Sequence, residues 1–253
     1  MSWKIKQIKS LNLKDPILIS GLPGIGNVGK IAVDFVIDNL NAEKVFEVDS
    51  YHFPHCVFVN EDNLVELPAI EIFHKKLKNR DFLFLAGDIQ PLDERSCYEF
   101  CDQILDLFEK IKGKEIITLG GVALDKIPEE PSIYCTGNDK KIIKEYEPKE
   151  NNVESLIGPI VGVTGLLIGL AGKRKIKGVT LLAETFGHPN FLGIKSARKL
   201  LTHLNEKLKL KIKLNELDAE IKEIERDLSK NIKPKLKSKA LKSTFVKDTN
   251  YIG

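Results

Sequence analysis

Three sets of residues in this chain are of types, and at spacings, that could do chemistry. The first is the run Ile17-Leu-Ile-Ser-Gly-Leu-Pro-Gly-Ile-Gly-Asn-Val-Gly-Lys30, which reads as a buried strand, a glycine-rich turn and a helix start. Glycines let a backbone come close to a phosphate, and a helix N-terminus attracts anions. Gly24-x-Gly26-x-x-Gly29 fits the dinucleotide fingerprint, and Asp49 stands twenty residues after Gly29, where a ribose-binding acid would sit. Gly24, Gly29 and Lys30 also fit most of a P-loop, but Ile31 occupies the place of the hydroxyl that holds magnesium. A loop that half-meets two templates also suits a third role, a tight strand-to-helix turn packed on other backbone; Gly21 opens this loop.

The second set is Asp88, Glu184, Thr185 and His188, each following an apparent strand. Ligands bind at the C-terminal ends of strands in open α/β sheets, and an acid with a histidine there could transfer protons. No nucleophile stands in a recognisable setting, so no catalytic residue is assigned, and capping or loop-tying is the competing role. The third set, His52, His55 and Cys56, has no second pair at ligand spacing. No metal site and no cofactor are expected from it.

These residues need a scaffold. The pattern predicts strands at 17–20, 44–49, 56–60, 68–74, 81–86, 115–120, 132–136 and 177–183. Helices are predicted at 28–40, 93–111, about 160–172 and from 193 onward, with an irregular stretch over 137–159. The first strand is wholly apolar, as expected for burial on both faces. Strands alternating with helices imply a three-layer α/β/α sandwich, and the contiguous strands between 44 and 86 imply a mixed, mostly parallel sheet. From 210 the leucines and isoleucines at 210, 214, 217, 221, 224 and 228 step by four and three, a heptad seam. Such a seam packs either on its own domain or on a helix of another copy. Pro234 ends helix propagation. The chain thus divides into an α/β domain over 1–205, an amphipathic helix over 206–232 and a basic, flexible tail over 233–253.

Composition narrows the function. The chain has 253 residues, 42% of them hydrophobic, and a net charge of only +3. Residues 229–253 hold seven lysines and one acid, so the tail carries +6 and the body −3. A basic arm on a mildly acidic body suits an acidic protein partner. Nucleic acid is not the expected partner, because the arm interleaves only Phe245 and Tyr251 with its lysines. Four cysteines without a C-x-x-C pair fit buried thiols in a reducing cytoplasm. The uncharged run Leu156–Gly172 is short for a membrane span and rich in glycine, so it is read as a loop and a core helix.

The phrase Gly21-Leu-Pro-Gly-Ile-Gly-Asn-Val-Gly29 resembles the opening signature of the proteasome assembly chaperone family, archaeal branch. Leu85–Pro91, Thr118–Gly121, Gly162–Gly165 and Leu182–Pro189 fit the family's order, so the resemblance covers roughly residues 10–205. It implies an α/β/α sandwich in which the glycine loop is a fold signature, without nucleotide hydrolysis. It further implies a homo-oligomer that binds 20S proteasome α-subunits or rings. In that family a C-terminal hydrophobic–tyrosine–any tripeptide docks between α-subunits. Here the chain ends Tyr251-Ile252-Gly253, with tyrosine one place early. The alternative function is a nucleotide-dependent enzyme, ligase-like or dinucleotide-binding, that uses loop 21–30 with Asp88, Glu184 and His188.

Overall fold

Two apolar cores, one on each face of a single sheet, set the architecture of the computed structural model. It describes residues 3–60, 62–91, 93–149, 158–215, 217–219 and 221–222. The strands are β1 (Trp3–Gln7), β2 (Ile17–Gly21), β3 (Glu43–Ser50), β4 (Phe58–Val59), β5 (Val65–Glu66), β6 (Ile70–Leu77), β7 (Arg80–Gly87), β8 (Glu115–Leu124), β9 (Ile133–Gly137) and β10 (Lys177–Phe186). The helices are α1 (Val28–Leu40), α2 (Glu94–Lys110), α3 (Lys140–Tyr146), α4 (Val163–Lys173) and α5 (Ile194–Leu208).

Eight strands form one sheet in the order β1-β3-β6-β7-β2-β8-β10-β9, and β4 and β5 make a separate hairpin. The four central strands, β7, β2, β8 and β10, are parallel, while the ladders on both flanks are antiparallel. Helices α1, α3 and α5 cover one face around Ile19, Phe84, Leu119 and Leu181. Helices α2 and α4 cover the other around Leu18, Leu85, Ile116 and Phe100. The sandwich expected from the alternation of strands and helices is therefore present. Each β2 residue is buried, which is why its sequence carries no polar face.

Three elements escaped the sequence reading, the short strand β5 among them. The alternation Trp3-Lys-Ile-Lys-Gln7 makes an edge strand whose Trp3 side chain packs on His52, Phe53 and Phe100. Helix α3 lies inside the stretch read as irregular. Asp139 caps it by accepting from the Lys141 and Ile142 amides, and Ile142 and Tyr146, four apart, bury its inner side.

The long helix read from 193 onward is interrupted. Helix α5 ends at Leu208, with Lys209 in the left-handed region at φ 55°. The next residues run irregularly, with Lys211 also left-handed at φ 63°, and are held by two side-chain amides. Asn205 Oδ1 accepts from the Ile212 amide at 3.3 Å, and Asn39 Oδ1 accepts from the Lys213 amide at 3.1 Å. Leu210 and Ile212 both turn into the α1–α5 core, and Leu217, Leu214 and Ile221 join them. The four described positions of the heptad seam thus pack on their own domain; Ile224 and Leu228 lie outside the described residues.

A buried polar cluster ties α3 to α5 and β8. The Tyr146 hydroxyl donates to Glu115 Oε1 at 2.8 Å, and His203 Nε2 meets the Tyr146 carbonyl at 2.6 Å. A carbonyl only accepts, so Nε2 carries the proton and donates. Burial holds the His203 pKa below its ordinary value near 6.5. A histidine depressed in the folded state contributes stability above its unfolded pKa, and that contribution is lost as pH falls through the folded value. The melting temperature should therefore drop between pH 8 and pH 5.5, and drop less in His203→Gln. An equal drop in both proteins would show that His203 is not the titrating group.

Candidate functional site

The glycine loop sits between the two central parallel strands, where the chain turns from β2 into α1. The first turn of α1 lies directly on backbone. A Cβ built on Gly21 would stand 2.1 Å from the Gly29 carbonyl oxygen, and one on Gly29 would stand 2.3 Å from the Leu119 carbonyl oxygen. Any side chain at either position would push the helix off the sheet. Gly26 takes φ +59° and faces the Thr185 side chain, so it too is required, by conformation and by space. Gly24 differs. Its backbone is extended and a Cβ there meets nothing within 4 Å.

The loop's polar groups are largely used within the fold. The Gly24 amide donates to Asn27 Oδ1 at 3.3 Å, the Asn27 amide to the Gly24 carbonyl at 2.9 Å, and the Val28 amide to the Ile25 carbonyl. The Gly193 amide closes on the Gly26 carbonyl at 2.8 Å. Lys30, which a P-loop would aim at phosphate, points into the protein. Its ammonium lies 2.9 Å from Asp34 and 3.7 Å from Asp88, and donates to the Gly87 carbonyl at 3.1 Å. Its side chain is only 5% exposed. Burial raises the Asp34 pKa above the usual carboxylate range, and the charge of Lys30 opposes that rise. Asp34, four residues along the same helix, is the partner that the sequence reading missed; the i,i+4 spacing was its signal.

The dinucleotide template fails on topology. Asp49 is in β3, and β7 and β6 lie between β3 and β2. At about 4.8 Å per strand the acid stands roughly 14 Å from the strand that carries the loop. The other candidates are not brought together by any shared contact. Asp88 accepts from the Ala69 amide and faces Lys30. Glu184 accepts from the Ser132 amide and the Tyr134 hydroxyl, fastening β9 to β10. His188 stacks on Phe186, and its Nδ1 accepts from the Asn190 amide. Among the described residues no cluster of three metal-ligating side chains occurs. Tyr251, Ile252 and Gly253 lie outside the described residues.

A cavity of about 420 Å³ opens beside the loop, lined by Leu22, Gly24, Ile25, Gly120, Gly121 and Gly162 among others. Gln90 also lines it: its Nε2 donates to the Pro23 carbonyl at 2.8 Å and its Oε1 accepts from the Val163 amide at 3.4 Å. Every lining side chain is uncharged, so a phosphate there would meet no counter-charge from a side chain.

The geometry separates two glycines that both templates treat alike. Gly29→Ala should destabilise the fold by at least about 1–3 kcal/mol, the usual cost of forcing atoms into a packed site. Gly24→Ala should leave the denaturation midpoint nearly unchanged. Equal effects of the two substitutions in urea titrations would show that the loop is not held by the Gly29 contact.

Comparison with known proteins places the chain in a family. The sequence profile of the PAC2 family matches residues 18–232. The chain is 28% identical to an uncharacterised protein of Methanocaldococcus jannaschii over 253 residues, covering 99% of this chain and 96% of that one. Among solved structures it is similar to Pyrococcus furiosus PbaB, described as an archaeal proteasome activator. The TM-score is 0.82 at 33% identity, over 91% of this chain and 98% of that one. It is also similar to Pyrococcus furiosus PbaA, described as an archaeal homolog of proteasome-assembly chaperone. There the TM-score is 0.75 at 25% identity, over 90% of this chain and 91% of that one. A match over this much of the chain, with the glycine loop inside it, makes the protein a member of the PAC2 family.

Proposed function

We propose that this protein is a proteasome assembly chaperone-like scaffold that binds 20S proteasome α-subunits or rings through its C-terminal tail. The observation that carries this reading is the likeness to PbaB along nearly the whole length of both chains. The body supplies a stable α/β/α platform and works as a homo-oligomer in the cytoplasm. Several copies present several tails, and linked weak contacts gain through effective concentration. The seven lysines of 229–253 speed encounter with an acidic surface, while Tyr251, Ile252 and the Gly253 carboxylate set the dwell time. Tyr251 takes the hydrophobic place in the docking pocket.

No nucleotide is hydrolysed in this reading. The inward-facing Lys30 and the uncharged cavity lining support that part of it. Calorimetry with ATP and with NAD should give no micromolar binding. A micromolar heat that Gly26→Ala abolishes would favour the nucleotide-dependent enzyme instead.

The tail is tested directly. Full-length protein should retain α-rings in a pull-down, and a chain stopped at residue 232 should not. Tyr251→Ala, or one residue added after Gly253, should raise the dissociation rate. Salt should slow association, because exposed charges are screened beyond about 8 Å at physiological ionic strength. Capture that persists without 233–253 would move the contact to the body, and an unchanged dissociation rate in both variants would rule out docking of the terminal carboxylate.

A further inference from the structure

Two surfaces on opposite ends of the sheet are complementary to one another. The first is the hairpin between β3 and β6. Tyr51, Val57, Val59, Leu64, Val65 and Leu67 are all exposed, Leu67 by 76% and Val65 by 69%. Six of the eleven large apolar side chains exposed among the described residues fall in this one excursion, which marks a surface built to be covered. The excursion is also of one sign. Residues 51–67 contain three acids and neither lysine nor arginine. Asp62 and Glu66 stand exposed beside the apolar side chains.

The second surface is a groove of about 600 Å³ between the β6–β7 turn and the end of α5. Leu77, Phe82 and Leu208 are its apolar lining. Lys76, Lys78, Arg80, Lys209 and Lys211 stand around them, all five exposed. None of the five has an ion-pair partner among the described residues.

Topology keeps the two apart. Strand β3 runs parallel to β7 and leaves the sheet at Ser50, at the end where the glycine loop sits. Strand β6 starts at that end and runs back to the turn at Lys78. Its eight residues span about 23 Å at about 3.3 Å per step. A chain therefore cannot place its own hairpin in its own groove. Its own lysine-rich tail is excluded by like charge.

We propose that the hairpin 51–67 of one copy docks in the basic groove of the next, with apolar side chains on the groove lining and Asp62 and Glu66 against its cations. The inference rests on the self-association part of the function proposed above and names the surfaces that make it. A contact between two different patches is heterologous, so it closes into a ring or runs on as a filament. It uses neither the heptad seam nor the tail.

Light scattering at 50 μM, with circular dichroism as a check on folding, tests it on full-length protein. The wild type should report a multiple of 28.4 kDa. Lys76→Glu/Arg80→Glu and Asp62→Lys/Glu66→Lys should each fall to the monomer mass with unchanged melting. An equimolar mixture of the two variants should regain a multiple of that mass, because the intact hairpin of one meets the intact groove of the other. Variants that keep the wild-type mass would overturn the hairpin–groove contact and leave self-association standing. A mixture that stays monomeric would show that the two surfaces are not partners. A monomeric wild type would remove both this contact and the self-association it rests on.

Discussion

The structure hangs on one close approach of backbone to backbone. Helix α1 begins where β2 ends, and its first turn has no room for a side chain between it and the sheet. Gly21 meets the Gly29 carbonyl, and Gly29 meets the Leu119 carbonyl of β8. Because the helix lies this low, Val28, Ile31 and Ala32 reach the sheet without any exposure. The same depth brings Gly26 against Thr185 and Gly193, so the loop also locates the end of β10 and the start of α5. A feature that looks like ligand chemistry in one dimension is, in three, the joint at which β2, α1, β8, β10 and α5 meet.

Much of this was legible in the sequence, and the exceptions have physical causes. Strand β2 and helix α1 were readable because the apolar run Ile17-Leu-Ile and a glycine turn leave little choice. The order of strands was not, since a ribose-binding acid at Asp49 requires β3 beside β2, and nothing local says that β6 and β7 intervene. Lys30 fits a phosphate-binding template by position alone; its direction depends on Asp88, fifty-eight residues away. The break at Lys209 was hidden because Leu210 and Leu214 keep helical spacing while Leu210 and Ile212 also alternate as in a strand. The choice is made by Asn39 and Asn205, whose amides supply the hydrogen bonds that a neighbouring strand would give.

Charge is distributed in this molecule by role. Where it is buried it is paired: Lys30 lies between two acids, and Glu115 accepts from a tyrosine. Where it is half exposed it clamps elements, as Arg174 at the end of α4 does with Asp102, Asp106 and Glu109 along α2. Around the β6–β7 turn it is unpaired among the described residues and of one sign, in a protein whose net charge is only +3. Unpaired charge of one sign on a surface serves encounter more than stability, because exposed pairs contribute at most about 1 kcal/mol.

The irregular stretch after α5 also has a mechanical meaning. Leu210 and Ile212 are sunk in the α1–α5 core, and the two asparagine amides grip the main chain from α5 and α1. A pull on the far end of the chain reaches these four attachments before it reaches the sheet. They would let go one after another, as a zip opens, rather than together. The body is thus buffered from whatever load its C-terminus carries, and the first element to yield is one whose loss leaves every strand in place.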